Sequence, residues 1–176
     1  MKWDTICSAF IIGLTAAILS FNYFSVLKPL KTITQSNTRA SWIDLNAHYE
    51  NYLRPSVLVL DLRSISADKG GEDVFAVLVQ YAEAMREQSF DKVILAAKGR
   101  EKFTLKGEYF QQLGHKQSQQ TEGDRRKIFT ENLYRPDGTR AFDSWRGRWI
   151  SVLAKQTEDF NEFNKQWYVD DPNFHN

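Results

Sequence analysis

The first pattern along the chain is an unbroken apolar run. Residues 6–27 read ICSAFIIGLTAAILSFNYFSVL and carry no formal charge, with Lys2 and Asp4 before them and Lys28 after. As a helix rising ~1.5 Å per residue the run would reach about 33 Å, against a bilayer hydrocarbon core of roughly 30 Å. Its polar members are mild. Ser8, Thr15 and Ser20 can return their hydroxyls to carbonyls one turn back, and Asn22 lies near an end where headgroups and water are available. Trp3 before the run and Phe21, Tyr23 and Phe24 at its close stand where an interfacial aromatic belt belongs. The pattern predicts a tail at 1–5 and a transmembrane anchor at 6–27. A cleaved secretory signal would need a shorter apolar stretch and a small-x-small site, and Phe21, Tyr23, Phe24 and Leu27 fill the place where cleavage would fall.

Beyond Leu27 the pattern changes. Residues 28–40, KPLKTITQSNTRA, are polar and contain a proline, which reads as a juxtamembrane linker. A soluble domain follows over 41–170, with a short tail at 171–176. Trp42, Leu45, Tyr49 and Tyr52 recur at helical spacing, with Ser41 available as N-cap, and predict an amphipathic helix over 41–53 stopped by Pro55. The run SVLVLDLRSI at 56–65 predicts a central strand, since its first half is apolar on both faces. Val74, Val77, Leu78, Tyr81 and Met85 mark one face of a helix over 73–86, and KVILAAKG at 92–99 is a second apolar strand. Strand, helix and strand in this order form a βαβ candidate.

Phe103 and Leu105 then alternate with lysines and a threonine, predicting a hairpin that turns through Lys98-Gly99-Arg100. EYFQQLG reads as a short helix ended by Gly114, and 115–124 as a polar loop. KIFTENLY and TRAFDSW flank the turn Arg135-Pro136-Asp137-Gly138 and predict another hairpin. Trp149, Val152, Leu153, Phe160, Phe163 and Trp167 mark a long amphipathic helix over 149–168. The expected class is α/β or α+β: an N-terminal transmembrane helix, then one domain whose mixed sheet, a βαβ unit plus hairpins, is packed by amphipathic helices.

Charge and composition narrow the chemistry. The net charge is +1, but the excess of base sits in the first 39 residues, so the domain is slightly acidic and nucleic acid is an unfavoured partner. Cys7 is the one cysteine; it stands at the start of the apolar run instead of following it, which excludes a lipoprotein site, and the soluble part has no thiol for catalysis, metal binding or a disulfide. His48, His115 and His175 lack a second ligand at metal spacing, and no G-x-S-x-G occurs, so no metal and no cofactor is expected.

Three constellations remain as candidates. Asp61 and Arg63 share a sheet face at the end of the central strand, where ligands of α/β sheets often bind, and with His115 they are the catalytic candidates; a structural ion pair is the plainer account. Lys98, Arg100, Lys102, Lys106, Lys116, Arg125, Arg126 and Lys127 form a basic segment suited to headgroups or an acidic partner, while lysines that blunt a hairpin edge explain the first of them equally. Trp145, Arg146, Arg148 and Trp149 surround a glycine and suit cation–π recognition, or a helix entry with arginines snorkelling outward.

At KFTLKGEYFQQLGH and DGTRAFDSWRGRWISVLAKQTEDFNEFNKQWY the chain resembles small bacterial proteins of unassigned function that pair one N-terminal span with a compact domain. The resemblance implies bacterial origin and brings no activity or site residue. The expectation is a membrane-tethered, non-enzymatic interaction domain, an accessory piece of a bacterial envelope complex with a protein partner. The alternatives are a membrane-associated hydrolase or ligand-binding domain with a cleft at Asp61 and Arg63, and binding of anionic lipid or nucleic acid through 98–127. On sidedness the cues conflict. Lys28, Lys31 and Arg39 after the run favour a cytoplasmic domain, whereas a span at the chain start with a short tail favours export to the periplasm, which is the side expected here.

Overall fold

The computed structural model describes residues 2–36, 40, 42–66, 70–115 and 121–170. The basic candidate Lys116, linker residues 37–39 and the tail 171–176 with His175 lie outside the described residues, as do the side chains of Trp3 and Trp149.

Helix α1 (Lys2–Asn22) passes through a π-helical turn (Tyr23–Leu27) into α2 (Lys28–Ser36) without a break. The expected linker is therefore helical as far as Ser36. Its apolar residues explain why: Val26 and Leu30, four apart, are fully buried, and Ile33 packs beside them against the domain core. Pro29 explains the wide turn ahead of it. Proline has no N–H to donate and its ring crowds the carbonyl one turn back, so the backbone opens to i+5 bonding, with the Lys28 N–H donating to the Tyr23 carbonyl.

The sheet has five strands in the order β1-β2-β3-β4-β5: β1 (Ile43–Glu50), β2 (Arg54–Ile65), β3 (Lys92–Ala97), β4 (Arg100–Lys106) and β5 (Leu133–Tyr134). Strands β2 and β3 are parallel and joined through α3 (Gly71–Ala84), the expected βαβ unit; every other pairing is antiparallel. The class is α+β with a mixed sheet. Leu58, Leu60 and Leu62 of β2, Val93 and Leu95 of β3, and Phe103 and Leu105 of β4 point into one core with α2, α3, α4 (Gly107–Gly114), α5 (Glu122–Glu131) and the end of α6 (Trp149–Asn164). The opposite sheet face buries a smaller cluster, Val57, Val59, Ile94 and Ala96, with Asp61 beside it, all from strands.

Two segments fold otherwise than their spacing predicts. Residues 41–53 form β1 and a turn rather than a helix. Ile43, Leu45, Ala47 and Tyr49 alternate inward, while Trp42, which only the helical pattern would bury, stays 61 % exposed. Leu45 and Tyr49 fit both periods, and pairing with β2 across a tight turn decides between them. Residues 127–134 were expected as a strand, but α5 takes most of them and leaves only Leu133 and Tyr134 for pairing. The reason is a capping box, in which the Thr121 hydroxyl accepts from the Asp124 N–H (3.2 Å) while Asp124 accepts from the Thr121 N–H (3.0 Å). The Pro-Asp-Gly turn forms as expected, with the Gly138 N–H donating to the Arg135 carbonyl.

Helix α6 and a π-helical end (Lys165–Val169) fill the expected C-terminal span. Only its second half enters the core. Phe160, Phe163 and Trp167 join Phe75, Phe103 and Phe129 in a run of ring contacts 5.0–5.3 Å apart. Ile150 and Leu153 in the first half remain exposed.

Candidate functional site

The densest set of specific contacts lies where the N-terminal helix meets the β1–β2 hairpin. Asn22, expected near lipid headgroups, is buried in the domain instead. Its side-chain carbonyl accepts from the Tyr49 N–H (2.9 Å), and its amide donates to the Tyr52 carbonyl (2.8 Å) and to Ile18 one turn back (3.0 Å). One amide thus replaces water for two edge groups of a hairpin and ties them to the helix. A turn later the Tyr81 hydroxyl donates to the Val26 carbonyl (2.9 Å) and the Gln88 amide to the Ser25 carbonyl (3.4 Å). Both carbonyls belong to the π-helical turn, so groups released by its irregular bonding are satisfied by the end of α3 and the loop after it. Burial pushes the Tyr81 hydroxyl far above its ordinary range, so it remains a donor at every physiological pH.

The hairpin turn itself is strained. Asn51 and Tyr52 both take left-handed backbone angles (φ 51° and 62°), which a tyrosine adopts at a cost of about 1–2 kcal/mol. Tyr52 is held there by stacking on His48, with ring centroids 4.7 Å apart, and by the bond from Asn22. Around this point lie two grooves between helix and hairpin. One of about 330 Å³ is lined by Ala17, Ile18, Phe21, Tyr52, Leu53 and Pro55. The other, about 440 Å³, runs along the outer side of β1 between Leu19, Tyr23, Phe24 and the residues Asn46, His48 and Tyr52. A third, about 490 Å³, continues past α2 between Lys31, Gln35, Trp42 and Asp44. Helix and grooves together cover the outer edge of β1, which no strand pairs among the described residues.

The catalytic candidates do not assemble. Asp61 is buried, one oxygen accepting from the Gly99 N–H (3.0 Å) and the other paired with Arg63 (2.5 Å). It braces the β3–β4 turn, where Lys98 and Gly99 take left-handed angles. His115 follows α4, whose last residue, Gly114, lies against the Ala82 carbonyl at the end of α3. That is the opposite end of the βαβ unit from Asp61, because α3 runs back antiparallel to the strands it joins. Among the described residues no three of His, Cys, Asp and Glu converge where a cation could sit.

The basic segment divides in two. Lys98, Arg100 and Lys102 belong to the β3–β4 hairpin, whereas Arg125, Arg126 and Lys127 lie on the first turns of α5. Arg126 pairs with Glu72 at the start of α3 (2.8 Å) and lies over the Phe160 ring (5.5 Å), so it serves packing. The Trp-Arg stretch folds onto α6: the Trp145 indole donates to Asp159 (2.6 Å) and Lys155 lies over its ring, leaving Arg146 and Arg148 exposed beside Ile150 and Leu153. Burial raises the Asp159 carboxyl, and the Trp145 bond acts against that shift. The Trp167 indole donates to the Ala96 carbonyl (3.0 Å), where a register shift interrupts the β3–β4 ladder. The junction at Asn22 escaped sequence reasoning because a lone asparagine near the end of an apolar run has the same appearance at a headgroup. A scan against protein-family models finds no match, and searches of curated proteins and of solved structures find none either.

Proposed function

We propose that this chain is a single-span membrane protein whose domain is a non-enzymatic interaction module, an accessory component of a bacterial envelope complex. The observation that carries the reading is the N-terminal helix. The stretch Cys7–Ser36 is long and apolar enough to cross a membrane, its most apolar 18-residue window having a mean hydropathy of 1.9, and Phe10, Ile11, Ile12, Leu14 and Leu19 project from it without protein cover. So large an uncovered apolar surface is unfavourable in water and favourable in lipid. Because Asn22 and Val26 belong to the domain, the lipid-facing part ends near Phe21. Its uncharged part, residues 5–21, is about 25 Å long, and Lys2 and Asp4 on one side with Tyr23 and Phe24 on the other carry it to the headgroups of a core of roughly 30 Å.

The interaction part of the reading draws on the first half of α6, where exposed Ile150 and Leu153 stand beside exposed Arg146 and Arg148. Mixed apolar and arginine surface of this kind suits a protein partner. The strand-end carboxylate offers no comparable support for catalysis, since Asp61 is enclosed and both its oxygens are engaged. The basic hairpin stands away from the apolar part of α1: Leu62 and Ala97 pair beside it, about 26 Å along β2 from Arg54 at the tip that lies against Ala17 and Phe21, which is roughly three screening lengths in physiological salt. The domain is proposed to face the periplasm.

The test is purification of the full chain from membranes in mild detergent. Retention of a second protein, lost in an Ile150→Asp, Leu153→Asp variant, is the expected result; a protein released by alkaline carbonate, or a lone monomer in mild detergent, overturns the proposal. Protease protection in oriented inner-membrane vesicles fixes the side.

A further inference from the structure

We propose that the β1–β2 hairpin tip is a second membrane contact, inserting Leu53 into the boundary between headgroups and acyl chains alongside the span. The inference rests on the reading of α1 as a transmembrane helix and goes beyond it, because a span alone says nothing about how the domain sits on the bilayer.

The apolar helix passes into the domain with no flexible joint between them. The helix runs unbroken from Lys2 to Ser36, and Asn22 locks it to the hairpin at Tyr49 and Tyr52, so the tip and the helix hold a fixed relation. Leu53 lines the groove that also contains Ala17, Ile18 and Phe21. Ala17 precedes Asn22 by five residues, about 7 Å of helix, so the tip reaches below the point where the helix enters the domain. Ala17, Ile18 and Phe21 belong to the last stretch of lipid-facing helix before the buried Asn22, where the hydrocarbon core gives way to headgroups. The tip therefore meets lipid at the level where the acyl region ends.

Its chemistry fits that depth. Leu53 is 68 % exposed and Tyr52 41 %, while Pro55 adds apolar surface with no N–H to desolvate. Glu50 neutralises Arg54 at 2.8 Å, so the pair brings no unbalanced charge to the headgroup layer. With Phe21, Tyr23 and Phe24 on the helix, Tyr52 closes an aromatic belt that α1 alone leaves incomplete on the hairpin side. The strained backbone at Asn51 and Tyr52 is what turns Leu53 outward instead of returning it to the sheet.

The test uses the full chain in phosphatidylcholine–phosphatidylglycerol vesicles, in a Cys7→Ser background, with a polarity-sensitive fluorophore on Leu53→Cys, Leu14→Cys or Arg100→Cys. Nitroxide lipids labelled near the headgroup or deep in the acyl chain serve as quenchers, and circular dichroism confirms that each labelled protein is folded. The expected result is deep quenching at residue 14, shallow quenching with a blue-shifted emission at residue 53, and quenching at residue 100 several-fold below that at residue 53. Quenching at 14 with residue 53 no different from 100 overturns the tip contact and leaves the span standing. No quenching at 14 removes the span, and the tip proposal with it.

Discussion

Residues 7–21 and residues 22–36 belong to one continuous helix, yet they are built for different surroundings. The first part is apolar on all sides: Phe10, Ile11 and Ile12, about 100° apart around the helix, all project and none is covered. The second part is amphipathic, burying Val26 and Leu30 while Lys28, Lys31 and Gln35 stay outside. A helix apolar all round asks for an apolar solvent, and one apolar on a single stripe asks for a neighbour. Asn22 stands at the change, and the π-helical turn set up by Pro29 follows it. The boundary between two environments is thus written in side-chain pattern and marked by backbone irregularity, with no flexible joint.

Substitutions on the two sides of that boundary should separate sharply. The largest effect is expected at Leu30→Ala, which empties a fully buried site and should lower domain stability by about 2–5 kcal/mol, read by urea denaturation of the full chain in mild detergent. Leu14→Ala should leave the same transition unmoved; an equal loss at both positions would erase the distinction drawn here. Asn22→Leu comes next. It makes the helix more apolar but strands the Tyr49 N–H and the Tyr52 carbonyl, so the domain should lose about 1–3 kcal/mol. A variant as stable as the parent would move Asn22 out of the domain and into the uncovered part of the helix.

Tyr81→Phe removes one buried donor from the Val26 carbonyl and should cost about 1–2 kcal/mol, with faster amide exchange around the π-helical turn as its local signature. The smallest effect concerns a region remote from the helix and serves as a control. Bonds from Thr121 hold the Asp124 carboxyl below its ordinary value of 3.8. A lowered folded value means that its contribution to the α5 cap is fully present above 3.8 and fades as pH falls through the lowered value. An acid titration followed by NMR should loosen the start of α5 while the Asn22 and Tyr49 signals hold; simultaneous loss of both would show that the domain unfolds as one unit.

Much of this architecture could be read from pattern because the relevant forces are local. The uncharged run at 6–27, the apolar strands at Val57–Leu60 and Val93–Ala97, and the one-faced helix carrying Val74, Val77, Leu78 and Tyr81 each state a period strongly enough to survive any context. The Lys98-Gly99 turn is equally local, since only left-handed backbone closes it. Segments compatible with two periods were not readable in this way. Leu45 and Tyr49 satisfy both helix and strand, and KIFTENLY has the β-rich look of a strand although the Thr121 and Asp124 cap upstream commits it to α5.

The candidate chemistry shows the same division. Asp61 and Arg63 do face one another, as residues two apart on a strand must, but whether their carboxylate is open or enclosed depends on the Gly99 N–H, which lies far along the chain. The sequence by itself determined a long apolar helix, a βαβ core and the turns that join them, because period, charge and glycine or proline geometry act within a few residues. The fold, in contrast, settles that the helix enters the domain at Asn22, that β1 is a strand, and that Leu53 shares a groove with Ala17, Ile18 and Phe21. Those outcomes depend on partners tens of residues away, such as Asn22 with Tyr49 and Val26 with Tyr81, and no local pattern encodes which distant group will satisfy a given backbone N–H or carbonyl.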